Sequence, residues 1–185
     1  WGMLPASNLN DTIPSDFENI DLGDKRLTTR FQKVLGRFME SPMKSIKAAC
    51  RGWAETMAAY RLLNHIRLTP SKILECHREA LVIRAQAHRC VSVIQDTTEL
   101  DFSTKKCLEG SGPLNSEKRR GFFAHTQFVI TEDRLPVGVL NTHLYARTDE
   151  DFRQKRKSKP IEDKESYRWL KAYQETCHFA EQLPD

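Results

Sequence analysis

The chain has 185 residues, 29 Lys and Arg against 25 Asp and Glu, and a net charge of +4 at neutral pH. That length suffices for one well-buried domain, or for a small domain followed by part of a larger one. No run approaches the roughly 20 apolar residues needed to cross a bilayer, and the opening WGMLPASNLNDTIPSDF lacks the basic-then-apolar order of a signal peptide, so a soluble, cytoplasmic protein is expected.

Residues 1–20, with Pro5 and Pro14, read as a loosely held arm. From Asp24 onward Leu27, Phe31, Val34, Leu35, Phe38 and Met39 fall on one helical face, and Lys25, Arg26, Arg30, Lys33 and Arg37 lie on the other. A short helix follows around Ser45 to Cys50, then a turn at Arg51 and Gly52, then a helix from Trp53 to His65: a helix-turn-helix shape. Thr69 and Pro70 mark the start of a fourth helix, Thr69 as N-cap and Pro70 at the first helical position, with Ile73, Leu74, His77, Leu81 and Arg84 on a shared face.

After Ala87 the period changes. CVSVIQ, FFAHTQFVI and LPVGVLNTHLYA are β-branched runs, and the last two are joined by the polar turn TEDR. A long loop, DFSTKKCLEGSGPLNSEKRRG, separates the first two strands, and a charged linker, TDEDFRQKRKSKPIEDKES, leads to a closing amphipathic helix with Tyr167, Leu170, Tyr173, Cys177 and Leu183 apolar. The order of four helices, three strands and one helix predicts an α+β chain: a helical domain at 21–88 and a second domain at 89–185.

The charge is uneven, with 14 Lys and Arg against 9 Asp and Glu up to residue 90, and 15 against 16 thereafter. A basic helical half permits a polyanionic partner. The second helix of a helix-turn-helix can enter a major groove while flanking cations hold phosphates; Arg26, Arg30, Lys47, Arg51 and Arg61 are the candidates. Lys118, Arg119 and Arg120, before a strand, could guide a phosphate, though basic triplets are most often solvated loop residues. Asp96, in VSVIQDTTEL, is expected to close the first strand, where a rigid carboxylate either ends the strand or holds a divalent metal. His125 and His143 would face each other only in the right hairpin register, and are expected to be ordinary strand histidines. Cys50, Cys76, Cys90, Cys107 and Cys177 are scattered without a CxxC spacing, which suits a reducing compartment and offers no zinc pair.

Six segments in order, LGDKRLTTRF, SIKAACRGWAETMAAYRLLNH, VIQDTTELDF, RRGFFAHTQFVI, PVGVLNTHLYART and EDKESYRWL, resemble blocks of DDE transposases of the insertion-sequence-four family, the transposon-five-like group. The resemblance runs from about Leu22 to the C-terminus. It implies a helical domain that binds the terminal repeats of a transposon as double-stranded DNA, then a ribonuclease-H-like α/β domain. Of that domain this chain would hold three antiparallel strands and the following helix. The family's first catalytic aspartate, in a DTT context, corresponds to Asp96, a ligand for Mg²⁺ in an intact relative. The family's second aspartate and its glutamate have no counterpart among the 185 residues. The resemblance therefore implies a chain that binds DNA but does not cleave it alone or hold Mg²⁺ stably, able to dimerise with an intact transposase and, in a bacterial cell, to sit on the nucleoid when DNA-bound. The alternatives are a non-catalytic DNA-binding inhibitor of transposition, or a decayed fragment without function.

Overall fold

The computed structural model describes residues 15–104, 108–116, 118–153 and 160–183. The expectations for residues 1–14 and Cys107 lie outside them. The chain divides into two compact units, Trp1–Ala80 and Leu81–Asp185.

The first unit contains α1 (Lys25–Glu40), α2 (Ile46–Ala49), α3 (Trp53–Leu63) and the start of α4 (Pro70–Gln86). Three of these helices begin where the sequence supplies a side-chain cap, and α3 begins after Gly52 without one. Asp24 accepts the backbone N–H groups of Arg26 and Leu27 at 2.8 and 3.1 Å, and these bonds hold its carboxyl below the usual range. Ser45 accepts the Ala48 N–H, and Thr69 accepts the Lys72 N–H, with Pro70 at the first helical position where no donor is needed. Between α2 and α3 the chain turns at Gly52, whose φ of 89° is a left-handed conformation that a side chain resists. Leu27, Phe31 and Val34 of α1 meet Ala59 and Leu62 of α3 in the core.

Phe17 and Ile20 are buried in the same core, so residues 15–20 are not the loose arm expected from their polarity. Two apolar side chains among polar neighbours suffice, because Phe17 packs edge-on against Phe31 and Gln32 donates to the Phe17 carbonyl. On α4, Ile73 and Cys76 pack against this core, whereas Leu81 and Ala85 belong to the core of the second unit. The division thus falls inside α4 rather than after it.

The second unit is a four-stranded sheet. β1 (Val91–Asp101) and β4 (Pro136–Tyr145) flank β3 (Arg120–Thr131), both antiparallel to it; β2 (Gly112–Pro113) pairs with the start of β3. β2 lies within the stretch expected to be all loop. Gly121 takes part in two pairings, opposite Asp101 and opposite Gly112, and a Cβ there would lie 1.9 Å from the Leu100 carbonyl oxygen. The β3–β4 turn places Arg134 at φ 63°. Beyond β4 come the short helix α5 (Asp149–Arg153), a 3₁₀ turn at Ile161–Asp163 and α6 (Tyr167–Ala180).

α6 does not bury the face expected from its apolar residues. Leu170, Tyr173 and Cys177 are exposed, and Ala172 and Phe179 are buried. The covered sheet face explains this. On β3 it places fully buried, polar His125 and Gln127 in succession between apolar Phe123 and Val129. Gln127 Nε2 donates to the Ala172 carbonyl and to Thr176 Oγ1, Glu175 accepts from His143 and Asn141, and Trp169 meets the His125 ring edge-on at 4.8 Å. Polar sheet positions call for polar helix positions, since a buried donor without a partner costs about 1–3 kcal/mol.

Candidate nucleic-acid interface

The cationic face of α1 lines a groove of about 750 Å³ with α3. At 100° per residue, Leu27, Phe31 and Val34 point into the core, which leaves Lys25, Arg26, Arg30, Lys33 and Arg37 at the groove. Ala54 and Ala58 of α3 form a low wall, and Glu55 is the sole acid of the lining.

Glu55 organises the cations. It accepts Arg37 Nε and Nη2 at 3.1 and 3.3 Å, Lys33 Nζ at 2.8 Å and the Arg51 backbone N–H at 2.8 Å. Those bonds, Arg37's foremost, hold its carboxyl far below the usual range. Glu40 in turn pairs with Arg37 and Arg51, each at 3.2 Å. Lys25, Arg26 and Arg30 have no ion pair among the described residues, so their charge is available at the groove mouth.

Of the sequence-derived candidates, Arg26 and Arg30 are brought together in the groove. Lys47 on α2 and Arg61 on α3 are exposed but do not line it, and Arg51 is held by Glu40. The candidate set omitted Lys25, Lys33, Arg37 and Glu55. The three cations were legible from helical spacing; the clamp by Glu55, 18 residues from Arg37, was not.

In the second unit, β1 does not end at Asp96. It continues to Asp101, because every residue through Asp101 pairs with β3, although the in-and-out alternation of the strand breaks at Leu100. Asp96 sits mid-strand opposite Thr126, exposed on the face away from α6, and accepts the Thr97 N–H at 2.7 Å. Among the described residues no three His, Cys, Asp or Glu side chains converge as a metal site. Arg119 pairs with Glu99 and Asp101, and Arg120 pairs with Asp149 and donates to the Ser111 carbonyl, so both tie the loop before β3 to neighbouring elements. Lys118 is exposed. His125 and His143 are register partners, and each is taken up by a neighbour: His125 by Thr97 at 2.7 Å, His143 by Glu175 at 3.0 Å.

No helix of the described residues is long and apolar enough to cross a membrane. No curated protein matches the chain. A family model described as transposase DNA-binding matches residues 10–68, the stretch that contains α1, α2 and α3. The N-terminal region is therefore transposase-related, carries a transposase DNA-binding domain and supports DNA binding.

Proposed function

We propose that this is a transposase-like protein of DDE type whose first unit holds double-stranded DNA at transposon terminal repeats. The groove carries the reading: five cations and one carboxylate line it, and the carboxylate fixes two of the cations while the other three have no ion pair among the described residues. Phosphates of a duplex backbone would meet Lys25, Arg26 and Arg30, a contact that positions DNA without reading its sequence.

The second unit is, in this reading, the opening part of a ribonuclease-H-like domain, and Asp96 descends from its first metal ligand. Three strands in antiparallel order and a following helix support it. Two Mg²⁺ ions need several oxygen ligands to sit about 4 Å apart, and Asp96, with no convergent acids among the described residues, does not fit that pair. These 185 residues accordingly bind DNA without cutting it, and cleavage requires acids from elsewhere, as in a dimer with an intact transposase. A separate core in the first unit supports the related role of an inhibitor that occupies the ends.

Mobility shifts of the full chain on terminal-repeat and scrambled duplexes across a salt series test the reading. Three phosphate contacts predict a log–log slope of about −3, and Arg26→Ala or Arg30→Ala each lowers its magnitude by about 1. Absence of binding at low salt, or a slope near zero, overturns it.

A further inference from the structure

α3 presents a second outward surface, next to the groove but distinct from it. Trp53 is 74 % exposed and Tyr60 43 %, although both are large and apolar. On a helix of 100° per residue, Trp53, Met57, Tyr60 and Asn64 form one stripe, with Arg61 beside it. The opposite face carries the buried Thr56, Ala59 and Leu62. Ala54 and Ala58, which line the groove, lie between the two. A single helix thus has a buried face, a groove face and, among the described residues, an unpartnered and largely exposed face.

The unpartnered face has the chemistry of base recognition. Asn can bond both N7 and N6 of adenine, Arg can bond O6 and N7 of guanine, and Trp, Met and Tyr offer apolar surface to thymine methyl groups. Asn64 follows the last turn of α3, and none of Asn64, Arg61 and Trp53 has an ion pair or side-chain hydrogen bond among the described residues. The neighbouring cationic groove would bring a polyanion to this face, and the transposase DNA-binding match spans all of α3.

We propose that the Trp53–Met57–Tyr60–Asn64 stripe of α3, with Arg61, reads base edges in the major groove of duplex DNA. The proposal rests on the DNA-binding reading above and assigns the sequence preference to residues outside the groove. The groove supplies affinity that salt weakens; the stripe supplies discrimination.

The full chain is first used to select from a randomised duplex pool, and the selected duplex is compared with a scrambled duplex of the same composition. Expected are a preference that drops roughly 5- to 150-fold in Asn64→Ala and in Arg61→Ala, and a smaller drop in Trp53→Ala partly restored by Trp53→Phe. Binding to the scrambled duplex falls less than binding to the selected duplex in the Asn64 and Trp53 variants, and its salt slope holds because neither side chain is charged. Arg26→Ala does the reverse, lowering affinity for both duplexes together. The selected duplex should also quench fluorescence that Trp53→Phe removes. All these side chains but Met57 are exposed, and circular dichroism confirms folding of each variant. Selection that yields no preferred duplex, or a preference untouched by all three alanine variants, overturns the proposal and leaves the groove reading standing; failure to bind any duplex overturns both. Self-association of the full chain that Trp53→Ala abolishes, with preference intact, assigns the stripe to a second copy and also overturns it.

Discussion

Glu55 and Arg37 join α3 to α1 through a two-point contact, Nε to Oε2 at 3.1 Å and Nη2 to Oε1 at 3.3 Å. The same carboxylate neutralises part of a basic groove and ties together the helices that form it. Its folded pKa is depressed, so its contribution to stability is present above the ordinary carboxylate value near 4.5 and is lost as pH falls below it. Urea melts of the first unit should weaken on acidification through that range, and Glu55→Gln should flatten the dependence. The variant should also release Arg37 and Lys33 to the groove. Affinity for scrambled duplex then rises and its salt slope steepens, which mobility shifts will register.

Asp16 and His77 set the lower limit of an independently folding first unit. Their side chains meet at 2.8 Å, with Asp16 2 % and His77 16 % exposed. The family match ends at 68, before His77, Ile73 and Cys76, all of which contribute to the first unit. A fragment of residues 10–80 should therefore melt cooperatively, and one of residues 10–68 should melt at lower temperature or not at all. In the longer fragment His77→Ala should cost about 1–3 kcal/mol by depriving a buried carboxylate of a partner. Equal melting of the two fragments would refute the limit.

Local rules carried the first half of the sequence well. Thr69 caps the helix it is expected to cap, the helices expected from Asp24 and around Ser45 begin there, and the apolar stripe of α1 faces the core, because capping and helical period are short-range effects. The failures share one cause. Hydrophobicity alone points to the wrong buried face of α6, because the sheet offers His125, Gln127, Asn141 and His143 as partners. The expected end of β1 at Asp96 fails for a similar reason: an acid followed by two threonines resembles a turn until the pairing with β3 is known. Arg119 and Arg120 looked free because Glu99 and Asp149 are 20 and 29 residues away.

The Asp96 side chain is exposed and, among the described residues, is hydrogen-bonded to the adjacent Thr97 N–H alone, so the fold makes little demand on it. Asp96→Ala should shift the stability of the second unit by no more than about 0.5 kcal/mol. Millimolar Mg²⁺ should leave the melting temperature of the wild type unchanged, since ligand binding to the folded state would raise it. Incubation of the purified chain with terminal-repeat duplex and Mg²⁺ or Mn²⁺ should produce no nicks. Nicking that Asp96→Ala abolishes would show that these residues assemble a working site after all.

Acidification should loosen α6 in two steps. Burial, and then the nearby His143, push the His125 pKa below its ordinary value near 6.5; the neutral ring is what the fold accommodates, with Nδ1 against Thr97 Oγ1. A depressed histidine contributes stability that is complete above about 6.5 and is lost as pH falls through the folded value. Glu175 is opposed by its own burial, yet the hydrogen bonds from His143 and Asn141 hold its carboxyl below the ordinary 4.5, so its contribution is lost only at lower pH. Hydrogen exchange of residues 167–180, corrected for the intrinsic pH dependence of exchange, should show protection decreasing first below about pH 6.5 and again below about 4.5. His125→Gln removes the titrating ring and should erase the first step. Glu175→Gln keeps an oxygen acceptor for His143 and should erase the second. Protection of α6 that stays constant down to about pH 4 would show that the polar layer between sheet and helix is held by packing alone.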